Sequence, residues 1–247
     1  MANDKFLLVL GGASDIGRAT ARRFAEAGWR IAIAGRDAAA LQREADDIAT
    51  RTGVKVATPA LDILESEAFE GFIAGLDGLP DAVVSVIGLL GEQAKAEVDV
   101  AHASLILRSN FEGPALLLGL FAERFRARGE GVLVGVSSVA GDRGRASNYV
   151  YGAAKAGLTA FLSGLRNRLA ATGVRVVTVK PGFVRTKMTA GMKLPPLLTA
   201  EPEEVAEAIY RASVVRPRDV IYVKPIWLIV MTIIGLIPEP IFKRLKL

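Results

Sequence analysis

The chain has 247 residues, of which 51% are apolar and only 6% aromatic, with 25 glycines; that length and mix suit one large α/β domain and argue against a disordered chain or a coiled coil. It holds no cysteine and one histidine, His102, which excludes disulfides, zinc–thiolate sites and cysteine nucleophiles and leaves no material for a His-rich metal site or a serine-protease triad. The formal net charge is only +5 and the basic residues are spread along the chain, as on solvated helix faces, so neither a nucleic-acid partner nor a metal is expected.

In chain order, the apolar run 6–10 predicts a strand that leads into a glycine-rich turn at 11–17. A helix over 16–27 follows, ended by Gly28, then a strand over 31–34 and a helix over 38–50 closed by Gly53. Short buried strands are predicted at 54–57 and 82–87, with a helix near 65–74 between them. One long helix is predicted over 98–128, a strand over 131–136, a helix over 148–171 and a strand over 174–179. A helix over 202–213 and a strand over 220–223 complete the pattern. Strands that alternate with helices and are apolar throughout predict a parallel, doubly wound α/β sheet. No repeat or linker-like stretch interrupts it, so residues 1–224 are read as one domain and 225–247 as an apolar and basic tail belonging to it. The apolar N-terminal segment belongs to the fold and is not a cleavable signal, so a cytoplasmic protein is expected.

Gly11-Gly12-Ala13-Ser14-Asp15-Ile16-Gly17 lies between the first strand and the first helix. A helix N-terminus offers unpaired N–H groups and the positive end of a dipole to phosphate, and glycines let the backbone approach it. In a βαβ unit this placement points to a dinucleotide. The second strand ends Ala34-Gly35-Arg36-Asp37. An acid at that strand end would bind the ribose hydroxyls of NAD; here the position is Gly35, and Arg36 is placed to meet a 2′-phosphate. NADP(H) is therefore the expected cofactor, with Asp37 a counter-argument should it turn inward.

Tyr151-Gly152-Ala153-Ala154-Lys155 is a YxxxK element within a predicted helix. Residues four apart share a helix face, so the ammonium can sit beside the phenol. A free tyrosine titrates near ~10, too high for acid–base work at neutral pH, and an adjacent cation would bring it down. Tyr149 has no lysine four residues on.

Together these elements resemble the short-chain dehydrogenase/reductase family. The glycine turn looks like its TGxxxGxG loop, with Gly11 and Gly17 in the first and last glycine positions and Asp15 in place of the middle one. A carboxylate there is unfavourable beside a pyrophosphate unless it points away or caps the helix. Ser138 lies thirteen residues before Tyr151, the family spacing, and Ser137 is the alternative beside it. The resemblance implies a Rossmann-type fold and a catalytic set of Ser138, Tyr151, Lys155 and Asn110, the last acting through a helix kink and a bound water. Asp62 resembles the aspartate that contacts adenine. Gly88 remains of an NNAG element that here reads Ser85-Val86-Ile87-Gly88. Pro181-Gly182-Phe183-Val184-Arg185-Thr186 matches PGxVxT, which closes over the nicotinamide. Cofactor contacts are accordingly expected at Gly11, Ala13, Ser14, Asp15, Ile16, Gly17, Arg36, Asp62, Gly88, Tyr151, Lys155, Pro181, Gly182, Val184 and Thr186. The implied reaction passes hydride from NADPH to a carbonyl carbon. Tyr151 protonates the oxygen, Ser138 polarises it, and Lys155 lowers the Tyr151 pKa and holds the nicotinamide ribose.

The substrate is the least legible part. Residues 187–200 carry Met188, Met192, Leu194, Leu197 and Leu198 around Pro195-Pro196; this is either a lid that packs on its own domain or a wall for a greasy substrate. Residues 225–237 are almost wholly apolar, and Ile-Pro-x-Pro-Ile-Phe then precedes a basic end. This ending, with the glycine loop and its acid, is similar to reductases of decaprenylphosphoryl-2-keto-erythro-pentofuranose. A lipid-linked keto-sugar is thus one expected substrate and a 3-ketoacyl or 3-ketosphinganine lipid another. A cofactor-sensing protein without catalysis is the reading from a different class. Family habit implies a homodimer or homotetramer through the two long helices. The tail is expected to pack on a partner subunit or to lie on the inner face of the membrane.

Overall fold

The computed structural model describes residues 5–245. The predicted apolar runs become strands β1 (Phe6–Leu10), β2 (Arg30–Ala34), β3 (Val56–Ala57), β4 (Ala82–Ser85), β5 (Glu130–Val136), β6 (Gly173–Pro181) and β9 (Val220–Val223). Two short strands not predicted from the sequence, β7 (Phe183–Val184) and β8 (Thr199–Ala200), lie between the last two. β7 and β8 pair only with each other, and the other seven form one sheet in the order β3-β2-β1-β4-β5-β6-β9. Every pairing in it is parallel. A parallel sheet needs cover on both faces, and the strands carry apolar residues for each: Leu7 and Val9 enter one layer, Phe6, Leu8 and Leu10 the other. Each such side chain, fully buried, contributes roughly 1.5–3 kcal/mol.

The cover is supplied by α1 (Asp15–Ala25), α2 (Ala38–Thr52), α3 (Phe69–Ala74), α4 (Gln93–Ala96), α5 (Val100–Leu107), α6 (Gly113–Arg128), α7 (Tyr149–Leu169), α8 (Pro202–Tyr210), α9 (Ile226–Leu236) and α10 (Glu239–Phe242). Phe24 of α1, Ile48 of α2 and Ile209 of α8 pack on one face. Phe69 of α3, Phe121 of α6 and Leu162 of α7 pack on the other.

The strand expected over 54–57 shortens to Val56–Ala57, the helix expected over 202–213 passes into a π-helical turn at Arg211–Val215, and two further departures bear on the site. The strand predicted over 82–87 ends at Ser85, so Val86 to Gly88 leave the sheet and enter the site. The single helix predicted over 98–128 is interrupted by a π-helical turn at Arg108–Glu112. Residues Val100–Arg128 would be long and apolar enough to cross a membrane, but 56% of the apolar 18-residue window within them is buried inside the domain.

The order of the sheet reverses between β1 and β4, and ligands of doubly wound sheets bind at the carboxyl ends of the strands beside such a reversal. The glycine turn after β1 and the 86–90 segment after β4 lie there. The tail folds onto the same end. Trp227 and Met231 of α9 are buried against Val139, with Phe183 packed beside them. Arg143 stacks on Phe242 and donates to the carbonyls of Ile234 (2.5 Å) and Ile237 (2.6 Å), satisfying the end of α9. Of the expected basic end, Lys243 and Arg244 are described; Lys246 and Leu247 lie outside the described residues.

Candidate active site

The glycine turn is built by its own hydrogen bonds. Ser14 caps α1: its hydroxyl accepts from Gly17 N (3.1 Å) and donates to Gly11 O (2.7 Å). A Cβ at residue 17 would sit 2.4 Å from Gly11 O, so only glycine closes this turn. Gly11, Ala13, Ser14, Asp15 and Ile16 line a cleft of about 520 Å³ that also takes in Arg36, Leu61, Ile63, Gly88 and Thr186. Gly17 is buried beneath the turn and does not line it. The Asp15 carboxylate is partnered on the protein itself: it accepts from Lys187 N (2.7 Å) and pairs with Arg18 (3.1 Å). The acid in the place of the family's middle glycine is thereby neutralised and ties the turn to the 187–200 loop.

At the end of β2, Asp37 caps α2, accepting from Ala40 N (2.9 Å), and lines the cleft beside Arg36. Arg36 is exposed on the cleft rim and forms no salt bridge among the described residues. Asp62 lies outside the lining, because its carboxylate turns back to Leu64 N (3.0 Å); its neighbours Leu61, Ile63 and Leu64 form the wall. A cation at the β2 end, a helix N-terminus behind a glycine turn and an apolar wall beyond fit a nicotinamide dinucleotide.

Beyond Gly88 the cleft continues into a more enclosed cavity, with which it shares Ile16, Val86, Gly88, Thr186 and Met188. Ser138, Tyr151, Lys155, Pro181, Gly182 and Val184 line it. β5 delivers Ser138, and α7 delivers Tyr151 and Lys155 from one face. The two serines divide their work. The Ser137 hydroxyl is held by Lys155 O (2.9 Å) and Thr159 Oγ1 (2.7 Å), which fastens β5 to α7. The Ser138 hydroxyl accepts from Ala140 N (3.1 Å) and hydrogen-bonds the Tyr151 phenol. Tyr149 lies 45% exposed outside this group.

Lys155 is 2% exposed, and its ammonium donates to Val136 O (3.0 Å) and Ile87 O (3.3 Å) at the ends of β5 and the β4 segment. Its Nζ is 5.8 Å from the Tyr151 ring centroid. Burial pushes this ammonium down to about 8. Although Tyr151 as a residue is half-buried, its phenol is held away from water. Burial pushes it up to about 12, opposed by the bond from Ser138. The expected lowering of the phenol by Lys155 is thus not what governs this arrangement: desolvation outweighs the cation.

Asn110 is fully buried in the π-turn and lines neither cavity. Its amide donates to Ile106 O (2.8 Å), a carbonyl displaced from the helical ladder, and to Leu89 O (2.7 Å), while Oδ1 accepts from Leu89 N (3.1 Å). It clamps the 88–90 segment beside Lys155 and so positions the site from behind.

Sequence reasoning missed Trp227. Its indole Nε1 donates to Leu198 O (2.9 Å), its ring meets Phe183 edge-on at 5.6 Å, and it lines the cavity of Ser138, Tyr151 and Lys155. A Cβ at Gly182 would lie 1.9 Å from the indole. The only signal is a tryptophan in an apolar tail, with nothing local to aim it at residue 182.

A family model described as short chain dehydrogenase matches residues 5–195. An uncharacterized oxidoreductase of Mycobacterium tuberculosis is 42% identical over 211 residues, 84% of this chain and 84% of the relative. A 3-oxoacyl-[acyl-carrier-protein] reductase of Aquifex aeolicus is 30% identical over 219 residues, 83% of this chain and 88% of that protein. Among solved structures, a variant actinorhodin polyketide ketoreductase with NADPH superposes with a TM-score of 0.76 at 25% identity, covering 85% of this chain and 90% of the other.

Proposed function

This chain belongs to the short chain dehydrogenase family, and we propose that within it the protein is an NADPH-dependent reductase of a lipid-linked keto-sugar, such as a polyprenylphosphoryl 2-keto-pentose. Members bind a nicotinamide cofactor, and the protein is an oxidoreductase acting on CH–OH/C=O. The observation that carries the reading is the meeting of Ser138, Tyr151 and Lys155 in one cavity that continues the dinucleotide cleft. A bound nicotinamide supplies hydride to the carbonyl carbon. Tyr151, protonated at neutral pH, donates its proton to the carbonyl oxygen, and the Ser138 hydroxyl holds that oxygen in place. Lys155 presents its ammonium to the nicotinamide ribose, and Asn110 positions it through the 88–90 segment. Gly11, Ala13, Ser14, Ile16, Gly88 and Thr186 would hold the dinucleotide, and Pro181, Gly182 and Val184 would line the nicotinamide's place. Arg36, exposed on the rim, would take the 2′-phosphate, with the Asp37 carboxylate drawn toward the α2 N-terminus by its bond from Ala40 N.

The substrate assignment is supported by the apolar walls at Phe183, Met188, Met192 and Trp227 and by the exposed apolar face of α9, and it follows the resemblance read in the tail sequence alone. It carries a location with it, the cytoplasmic face of the membrane, and an assembly, a homodimer or homotetramer through α6 and α7. A long-chain 3-ketoacyl substrate is the second reading, favoured by the Aquifex aeolicus relative. A cofactor sensor without catalysis leaves the gathered Ser138, Tyr151 and Lys155 unexplained.

The test is NADPH oxidation by the full chain with a polyprenylphosphoryl 2-keto-pentose against a 3-ketoacyl thioester, repeated with NADH and with Arg36→Ala. Faster turnover of the keto-pentose is expected. Arg36→Ala should bind NADPH roughly 10- to 100-fold more weakly and NADH about as before, since only the 2′-phosphate engages the guanidinium through charge-assisted hydrogen bonds. Exclusive turnover of the thioester replaces the substrate; a wild type that prefers NADH overturns the cofactor.

A further inference from the structure

The catalytic cavity holds two polar side chains that the reaction above does not use. Arg145 and Asn148 both line it, on the segment between Ser138 and Tyr151. The Nε of Arg145 is buried without a hydrogen-bond partner, and so is the Oδ1 of Asn148. Buried donors and acceptors are nearly always satisfied, and an exception calls for a reason.

The protein offers each an ordinary partner and does not make the bond. Asn148 precedes the first residue of α7, where an asparagine side chain usually accepts from the helix's first N–H groups; here no side-chain cap bond forms. The carboxylate nearest in sequence to Arg145 is Asp142, but its two oxygens are taken by Lys180 Nζ (2.5 Å) and the Tyr222 hydroxyl (2.9 Å). Arg145 forms no salt bridge among the described residues. Its Nη2 reaches Met231 Sδ at 3.3 Å, a weak acceptor that holds the guanidinium against α9. The charged residues among those lining the cavity are Lys155 and Arg145, both positive. Burial lowers the Arg145 pKa, opposed by the charge of Asp142.

We infer that Arg145 and Asn148 form a substrate-head subsite, in which the guanidinium binds an anionic oxygen, phosphate or carboxylate, and the Asn148 carbonyl accepts from a hydroxyl on the same molecule. This rests on reading the cavity as the substrate site and adds to it: the carbonyl compound is a hydroxylated anion, held with its charge beside Arg145 and its carbonyl against Ser138 and Tyr151. A planar guanidinium with a free Nε–H suits a two-oxygen group, and the unpaired Asn148 acceptor selects a hydroxyl over an apolar chain at that point.

Binding of three non-reducible polyols to the NADP⁺-saturated full chain tests it by titration calorimetry: D-arabinitol, D-arabinitol 5-phosphate and D-arabinonate share a skeleton and differ in charge. One of the two anions should bind roughly 10- to 100-fold tighter than arabinitol, the range of a charge-assisted hydrogen bond; which one it is names the group as phosphate or carboxylate. Arg145→Met should remove that preference without weakening NADP⁺ binding, and Arg145→Lys should keep part of it. Asn148→Asp, which sets a negative charge in the same place with Arg145 intact, should also lower affinity for the anion and serves should Arg145→Met fail to fold. Equal binding of all three polyols by the wild type overturns the subsite, as does a preference that survives both Arg145→Met and Asn148→Asp. Because no turnover is read, failure of the ketone-reduction assay would sink the proposed reaction and leave this result standing.

Discussion

Tyr151 and Lys155 share one face of α7, yet burial moves their proton equilibria in opposite directions, the phenol up to about 12 and the ammonium down to about 8. At neutral pH the phenol is protonated and the lysine mostly charged, which is the pairing that a proton donor to a carbonyl needs. Lys155 is therefore the first of the two to change as pH rises. The kcat/KM for ketone reduction should stay level below about pH 8 and fall as pH climbs through it, because the charged lysine is lost while the phenol keeps its proton. Stability runs the other way through that window. The folded value of Lys155 lies below the unfolded value of about 10.4, so the penalty for holding the charge is present below about 8 and is relieved as pH rises. Tyr151→Phe removes the transferred proton and should lower turnover by roughly 10²- to 10⁴-fold, with NADPH binding by fluorescence titration largely kept. A Tyr151→Phe protein that retained more than a few per cent of the rate, or a rate that rose through pH 8, would remove the phenol and its lysine from the proton transfer.

Between elements, the tightest dependence is that of the 181–186 turn on α9. The indole of Trp227 lies where a Gly182 side chain would be, so Gly182→Ala must displace it and break its bond to Leu198 O. Overpacking of this kind costs roughly 1–3 kcal/mol. Gly182→Ala should lower Tm and shift tryptophan emission, and adding Trp227→Leu should restore part of the lost stability, since the smaller side chain leaves room; two losses that simply add would show that the residues do not meet. This contact marks the limit of what sequence makes legible. The strand–helix alternation is readable because burial on both faces writes continuous apolar runs, and the glycine turn, Ser138, Tyr151 and Lys155 because each rests on local spacing. The π-turn at Arg108–Glu112 is not, since its residues keep a helical hydrophobic pattern while one carbonyl leaves the ladder for Asn110. Nor is the destination of Asp15, which bonds Lys187 N from 172 residues away. Trp227 belongs with these: a tail reads as an appendage until the fold brings it back onto the site.

At the scale of the whole molecule, α9 has two jobs on opposite faces. Trp227 and Met231 are buried in the domain, while Leu228, Ile229, Ile233 and Leu236 are exposed, Leu236 by 78%. Ile241 and Leu245 extend this apolar surface, with Lys243 and Arg244 beside it. Eleven residues cannot span a bilayer, which takes about 20, but an apolar helix face with a basic flank suits an anionic membrane surface, each cation adding about 1 kcal/mol. Such a surface would bring a lipid-linked substrate to the cavity that Trp227 helps to wall. Removing the tail would not test this, because the cavity would lose Trp227 with it. Ile229→Ser, Ile233→Ser and Leu236→Ser together alter the exposed face and leave the buried one intact. In sedimentation with phosphatidylglycerol vesicles the wild-type protein should bind and the triple variant should stay in solution, with its mass by light scattering unchanged and its turnover of a short, soluble ketone preserved. If the wild type ignores the vesicles and the triple variant instead loses its partner subunits, this face is a contact between copies of the chain, and the lipid must reach the active site without help from the tail.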